Sequence, residues 1–118
     1  LGSARLAGEL DEAFSLATEV ADAHPDSREA QFLAAEIAYR SSRWTEAAAY
    51  FRRGGDPGDE QPVLLFFKAV SLYESGDRAG AAQALKRSLP LIQRSDYVDR
   101  YAEEILGEEG AAGDVKNR

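Results

Sequence analysis

The chain has no cysteine and no methionine, and one histidine and one tryptophan in 118 residues. Without cysteine, disulfides, thiolate metal sites and thiol catalysis are excluded. Compartment stays open, because a cysteine-free chain tolerates either redox environment. Long apolar runs are also missing. The apolar run from Val63 to Phe67 falls far short of the roughly 20 residues a membrane-spanning helix needs. The N-terminus lacks the basic, apolar and small-residue order of a signal peptide. It reads Leu1-Gly2-Ser3, as expected of a domain excised from a longer protein with a cloning remnant. A targeting segment or catalytic domain would then lie outside it. Positive charge is scarce: 14 Lys and Arg stand against 21 Asp and Glu, a net charge of −7. Nucleic-acid binders carry a basic face, so DNA and RNA are not expected partners. An anionic membrane surface is disfavoured by the same repulsion.

Hydrophobic residues make up 44%, ordinary for a globular domain and enough for a core at this length. Their spacing is helical. From Leu6 to about Ala23, apolar residues stand at Leu6, Leu10, Ala13, Phe14, Ala17, Val20 and Ala21, mostly three and four apart. Gly8 is expected to break this region, with the helix proper starting near Asp11. His24-Pro25 stops it, since proline disfavours helix at the preceding residue. Ser27 is a good N-cap for the next helix. That helix carries two apolar stripes, one through Gln31, Ala35 and Ala38, the other through Phe32, Glu36 and Tyr39. The short link Ser41-Ser42-Arg43 implies an antiparallel partner helix, Trp44 to about Arg53.

The loop Arg53 to Asp59 follows. Pro62 suits the first turn of the next helix, Pro62 to Glu74, which repeats the two stripes as Leu65, Ala69, Leu72 and Phe66, Val70, Tyr73. Ser75-Gly76-Asp77 breaks it, and Gly76 suits a left-handed helix end. Arg78 to about Leu89 is its partner, ended by Pro90. A last amphipathic helix runs from Asp96 to Leu106. Residues 108–118 are expected to be a flexible tail.

The helix starts repeat. Ala13, Ala47 and Ala81 occupy one slot at intervals of thirty-four residues, and Ala17, Phe51 and Leu85 another. A fixed period of this size marks a stacked-repeat architecture. The period and the residue types resemble the tetratricopeptide repeat. The resemblance covers about residues 6–107. It rests on the small residue at 13, 47 and 81, the large residue at Phe51 and Leu85, the turn residues Gly8, Ser42 and Gly76, Trp44 after the turn, and Pro25. The first half of the pattern departs: Gln31 and Leu65 take the usual Trp slot, Ala34 and Lys68 the Leu slot, Ala38 and Leu72 the Tyr slot. The resemblance implies an all-α fold of stacked antiparallel helix pairs, a right-handed superhelical α-solenoid of about 2.5 repeats. Its single domain would span residues 1–107: a partial repeat at 1–27, repeats at 28–61 and 62–95, and a C-terminal capping helix at 96–107.

No residue pattern points to catalysis, a cofactor or a metal. His24 has no second ligand or nucleophile at a sensible spacing and reads as a turn residue. The glycine-rich loop at 54–58 lacks the lysine of a phosphate loop and follows no strand. Asp56, Asp59 and Glu60 lack calcium-loop spacing. No serine lies in a nucleophile elbow.

By resemblance, the first helix of each repeat lines a concave groove that holds a peptide. The matching positions are Glu29, Phe32, Glu36 and Tyr39, then Val63, Phe66, Val70, Tyr73 and Glu74. The bland alternative is that these aromatics are core between neighbouring repeats. The Lys, Arg and Asn clamp by which one branch of the family grips acidic C-termini is not matched. The expected function is a non-catalytic module that binds a partner protein's peptide or amphipathic helix with basic flanks. Two alternatives stand beside it: self-association, and regulation of an enzyme whose catalytic part lies elsewhere.

Overall fold

Ser27 shows how the local chemistry sets the elements. Its hydroxyl accepts from the Ala30 amide at 3.2 Å, satisfying a donor that a helix start leaves open. Helix α2 (Arg28–Arg40) begins there, with Glu29 in its first turn and Arg40 in its last, each charge opposing the helix dipole. The computed structural model describes the backbone of residues 2–117 and the side chains of residues 4–107. All the elements among the described residues are helical, and the chain divides into two compact units, residues 1–57 and 58–118.

The first unit holds α1 (Gly2–Ala23), α2 and α3 (Trp44–Gly54). Helix α1 runs through Gly8, so the expected break is absent. A single glycine costs about 1 kcal/mol relative to alanine inside a helix, too little to stop one that is anchored elsewhere. The anchor is at its other end, where Ala17 and Ala21 are buried. There too Gln31 of α2 donates through Nε2 to the carbonyls of Ala21 and His24 at 2.8 and 3.1 Å.

Helices α2 and α3 are antiparallel. Phe32, near the start of α2, meets Phe51 and Gly54 near the end of α3; Tyr39, near the end of α2, lies edge-on to Trp44 at the start of α3. Alanines 34, 35, 38, 47 and 48 of the two helices are buried. Small residues there let the two backbones come close.

The second unit holds α4 (Pro62–Glu74), α5 (Arg78–Ser88), a 3-10 turn (Leu89–Leu91) and α6 (Asp96–Asn117). Pro90 sits in the 3-10 turn and ends α5 one residue earlier than the sequence pattern suggests. Leu65, Phe66, Ala69, Val70 and Leu72 of α4 and Ala81, Ala82 and Leu85 of α5 form the core, closed by Val98, Ala102 and Ile105 of α6. Lys68 is half-buried.

The repeat is visible in backbone detail. After α2, Ser42 takes φ 56° and the Arg43 amide donates back to the Ala38 carbonyl at 2.8 Å. After α4, Gly76 takes φ 102° and the Asp77 amide donates back to Leu72 at 2.8 Å. The helices after these turns start at 44 and 78, and the first helices of the pairs start at 28 and 62. Helix α6 starts at 96, in the same phase. The tail expected at residues 108–118 lies outside the residues whose side chains are described.

Candidate functional site

The nine stripe positions divide between α2 and α4, and each helix layers rings below an exposed rim: Phe32, Tyr39 and Phe66 are buried and Tyr73 is half-buried. On α2, Phe32 is buried under the Arg28 guanidinium, whose carbon lies 5.5 Å from the ring centroid. Arg28 is itself held by the carbonyls of Gly54 and Asp56. Tyr39 is buried against Trp44 with ring centroids 5.8 Å apart. Glu29 is exposed, and Glu36 is half-exposed and bonded to Arg40 at 3.0 Å. Phe32 and Tyr39 therefore share a helix face but sit at opposite ends of the α2–α3 pair.

On α4 the rings are drawn together. Phe66, 3% exposed, meets Tyr97 and Tyr101 of α6 with ring centroids 6.0 and 6.5 Å away. Tyr73 meets Tyr101 edge-on at 6.3 Å, and the Tyr101 hydroxyl donates to Glu74 at 2.6 Å. Burial and this carboxylate neighbour push the Tyr101 phenol well above the ordinary tyrosine range. Val70 is fully buried. Val63 is exposed at the helix start and Glu74 at its end.

Tyr97 and Tyr101 extend the α4 stripe. They lie 31 and 35 residues beyond Phe66, so helical periodicity alone does not connect them. The signal that finds them is the repeat phase, since Tyr97 occupies in α6 the slot of Val63 in α4.

Helix α1 departs from its sequence pattern. Of the apolar stripe from Leu6 to Ala21, Ala17 and Ala21 are buried, while Leu6 and Val20 are exposed, as is Leu16 beside them. The side turned to the rest of the unit carries Asp11 and Phe14, both engaged by Arg43, and Asp22. Asp22 accepts from the Arg53 guanidinium at 2.6 Å and the Tyr50 hydroxyl at 2.8 Å. The Arg53 bond first, and the Tyr50 bond next, hold the Asp22 carboxyl below its ordinary range. Burial and the same bond push the Tyr50 phenol up.

His24 is exposed in the turn before Pro25, and its carbonyl accepts from Gln31 Nε2. Among the described residues no three His, Cys, Asp or Glu side chains are grouped to hold a metal ion, and no helix is long and apolar enough to cross a membrane.

Residues 3–60 match the family model described as "Tetratricopeptide repeat". No curated protein and no solved structure matches the chain.

Proposed function

We propose that this chain, which carries a tetratricopeptide repeat domain, is a non-catalytic binding module whose partner is another protein. Repeats of this family generally mediate protein–protein interaction or scaffolding. The observation that supports the finer reading is the layering of α2 and α4. In each, rings fixed by neighbouring helices support an exposed rim. Rigid bases of this kind lower the ordering cost of binding.

The rims differ in chemistry. On α2 it is acidic, Glu29 and Glu36. On α4 it begins with exposed Val63 and ends with Glu74. A partner segment with an apolar anchor and basic neighbours fits either one; an acidic C-terminal peptide does not. The buried rings give rigidity, and the rim residues carry the contact.

The test is affinity capture with the chain and two variants, Glu29→Arg/Glu36→Arg and Val63→Asp. All the altered side chains are at least partly exposed, so circular dichroism should be unchanged. Loss of a captured partner in either variant supports the reading. Capture indifferent to both sinks it.

A further inference from the structure

In the first unit, two pairs of a ring and a carboxylate are each completed by an arginine. The Tyr50 hydroxyl donates to Asp22 Oδ1 at 2.8 Å. The Arg53 guanidinium donates to the same oxygen at 2.6 Å and lies 4.5 Å from the Tyr50 ring centroid. Arg43 likewise donates to Asp11 at 3.0 Å and lies 4.3 Å from the ring centroid of Phe14. A guanidinium suits both halves of such a pair: its fork donates to the carboxylate and its flat face meets the ring.

The second unit holds the same kind of pair without the cation. The Tyr101 hydroxyl donates to Glu74 Oε2 at 2.6 Å, as Tyr50 does to Asp22. Among the described residues no Lys or Arg side chain bonds Glu74 or covers the Tyr101 ring; Arg78 lies over Tyr73 instead. Glu74 is exposed and Tyr101 half-buried. Phe66 and Tyr73 brace the Tyr101 ring. Tyr97, 40% exposed, stands edge-on to it with centroids 5.3 Å apart. The surroundings favour a cation. From Asp96 to Gly107, α6 exposes Asp96, Asp99, Glu103 and Glu104 against Arg100 alone.

We infer that Glu74 and Tyr101 take an arginine side chain of the partner protein, its guanidinium bonded to the Glu74 carboxylate and lying against the Tyr97 and Tyr101 rings. The inference rests on the reading of the α4 rim as a binding surface, and it makes the basic neighbour in the partner segment an arginine. Lysine fits less well, because an ammonium is a compact, strongly hydrated charge with no flat face to lay on a ring. The Tyr101 bond holds the carboxylate in place before the arginine arrives, so less ordering is left for binding to supply.

The probe is Nα-acetyl-arginine methylamide, titrated into the full chain and followed by the nuclear magnetic resonance signals of the tyrosine rings. The Tyr97 and Tyr101 signals should shift and saturate. The lysine counterpart should bind at least about threefold more weakly. Glu74→Gln can still accept from Tyr101 but loses the charge, and it should weaken arginine binding at least about fivefold. Glu29→Gln removes the same charge from the other unit and should leave binding unchanged. The titration needs no partner protein, so its failure is separate from failure of the capture experiment. Four results overturn the inference: no saturable shift, equal binding of arginine and lysine, binding indifferent to Glu74→Gln, or sedimentation showing that the chain self-associates until Glu74→Gln is made.

Discussion

A Cβ placed on Gly54 would lie 2.4 Å from Cε1 of Phe32. The ring has nowhere to go, because Phe51 lies against it and Arg28 covers it. Gly54→Ala gains helix propensity worth up to about 1 kcal/mol, and less in a last turn. Overpacking a fixed ring costs about 1–3 kcal/mol, so the clash wins. Urea denaturation should show Gly54→Ala destabilised by about 1–2 kcal/mol. A stabilised variant would mean that Phe32 is free to move.

The slot at 13, 47 and 81 gives three different responses to one substitution. Ala47 and Ala81 are fully buried where paired helices meet. Leucine at either should cost about 1–3 kcal/mol through overpacking. Ala13 is half-buried beside the open side of α1. Leucine there should stay within about 0.5 kcal/mol of the parent. Thermal melts of the three variants check this. A large loss at Ala13→Leu would place α1 in a closed pair after all.

Much of the architecture was legible because the signals are local. Ser27, Pro62, Gly76 and Pro90 mark helix ends through capping, a missing amide, a left-handed turn and a ring clash. The thirty-four-residue phase then multiplies each weak signal. What was not legible depends on what covers a face. Periodicity places Phe66 on a stripe, but Tyr97 and Tyr101 shut it in, and no local rule brings α6 there. The same limit applies to α1, whose stripe reads as core although Leu6 and Val20 are exposed. Gln31 is a third case. It fills a slot usually held by tryptophan and is fully buried, because its amide ties α2 to the carbonyl end of α1.

Ser42 and Gly76 occupy one turn slot with positive φ, 56° and 102°. A left-handed conformation costs an L-residue about 1–2 kcal/mol. Glycine escapes that cost but loses about 0.4–1 kcal/mol to unfolded-state freedom. Ser42→Gly should therefore stabilise the chain by about 0.5 kcal/mol. Gly76→Ala should destabilise it by about 1 kcal/mol, although no atom lies within 4 Å of the added Cβ. The two changes should shift the urea midpoint in opposite directions. Equal signs would show that the turns are not equivalent.

Asp22 links α1 to α3 through Arg53 and Tyr50, and its folded carboxyl titrates below the ordinary range. A depressed folded value gives stability that is present above the unfolded value, near pH 4. It is lost as pH falls through the folded value. Tyr50 behaves oppositely. Its folded value is raised, first by burial and then by Asp22, so its contribution is present below about pH 10 and fades as pH rises through the folded value. Asp22→Asn removes the carboxylate from both. Its urea midpoint should fall less steeply than the parent's on acidification below pH 4. Its Tyr50 phenol, followed by ultraviolet absorbance, should ionise at lower pH than in the parent. The exposed Arg53 pair is screened by salt, so the difference at neutral pH should shrink as salt is added. An acid limb identical to the parent's would mean that Asp22 is not held in solution by Arg53 and Tyr50.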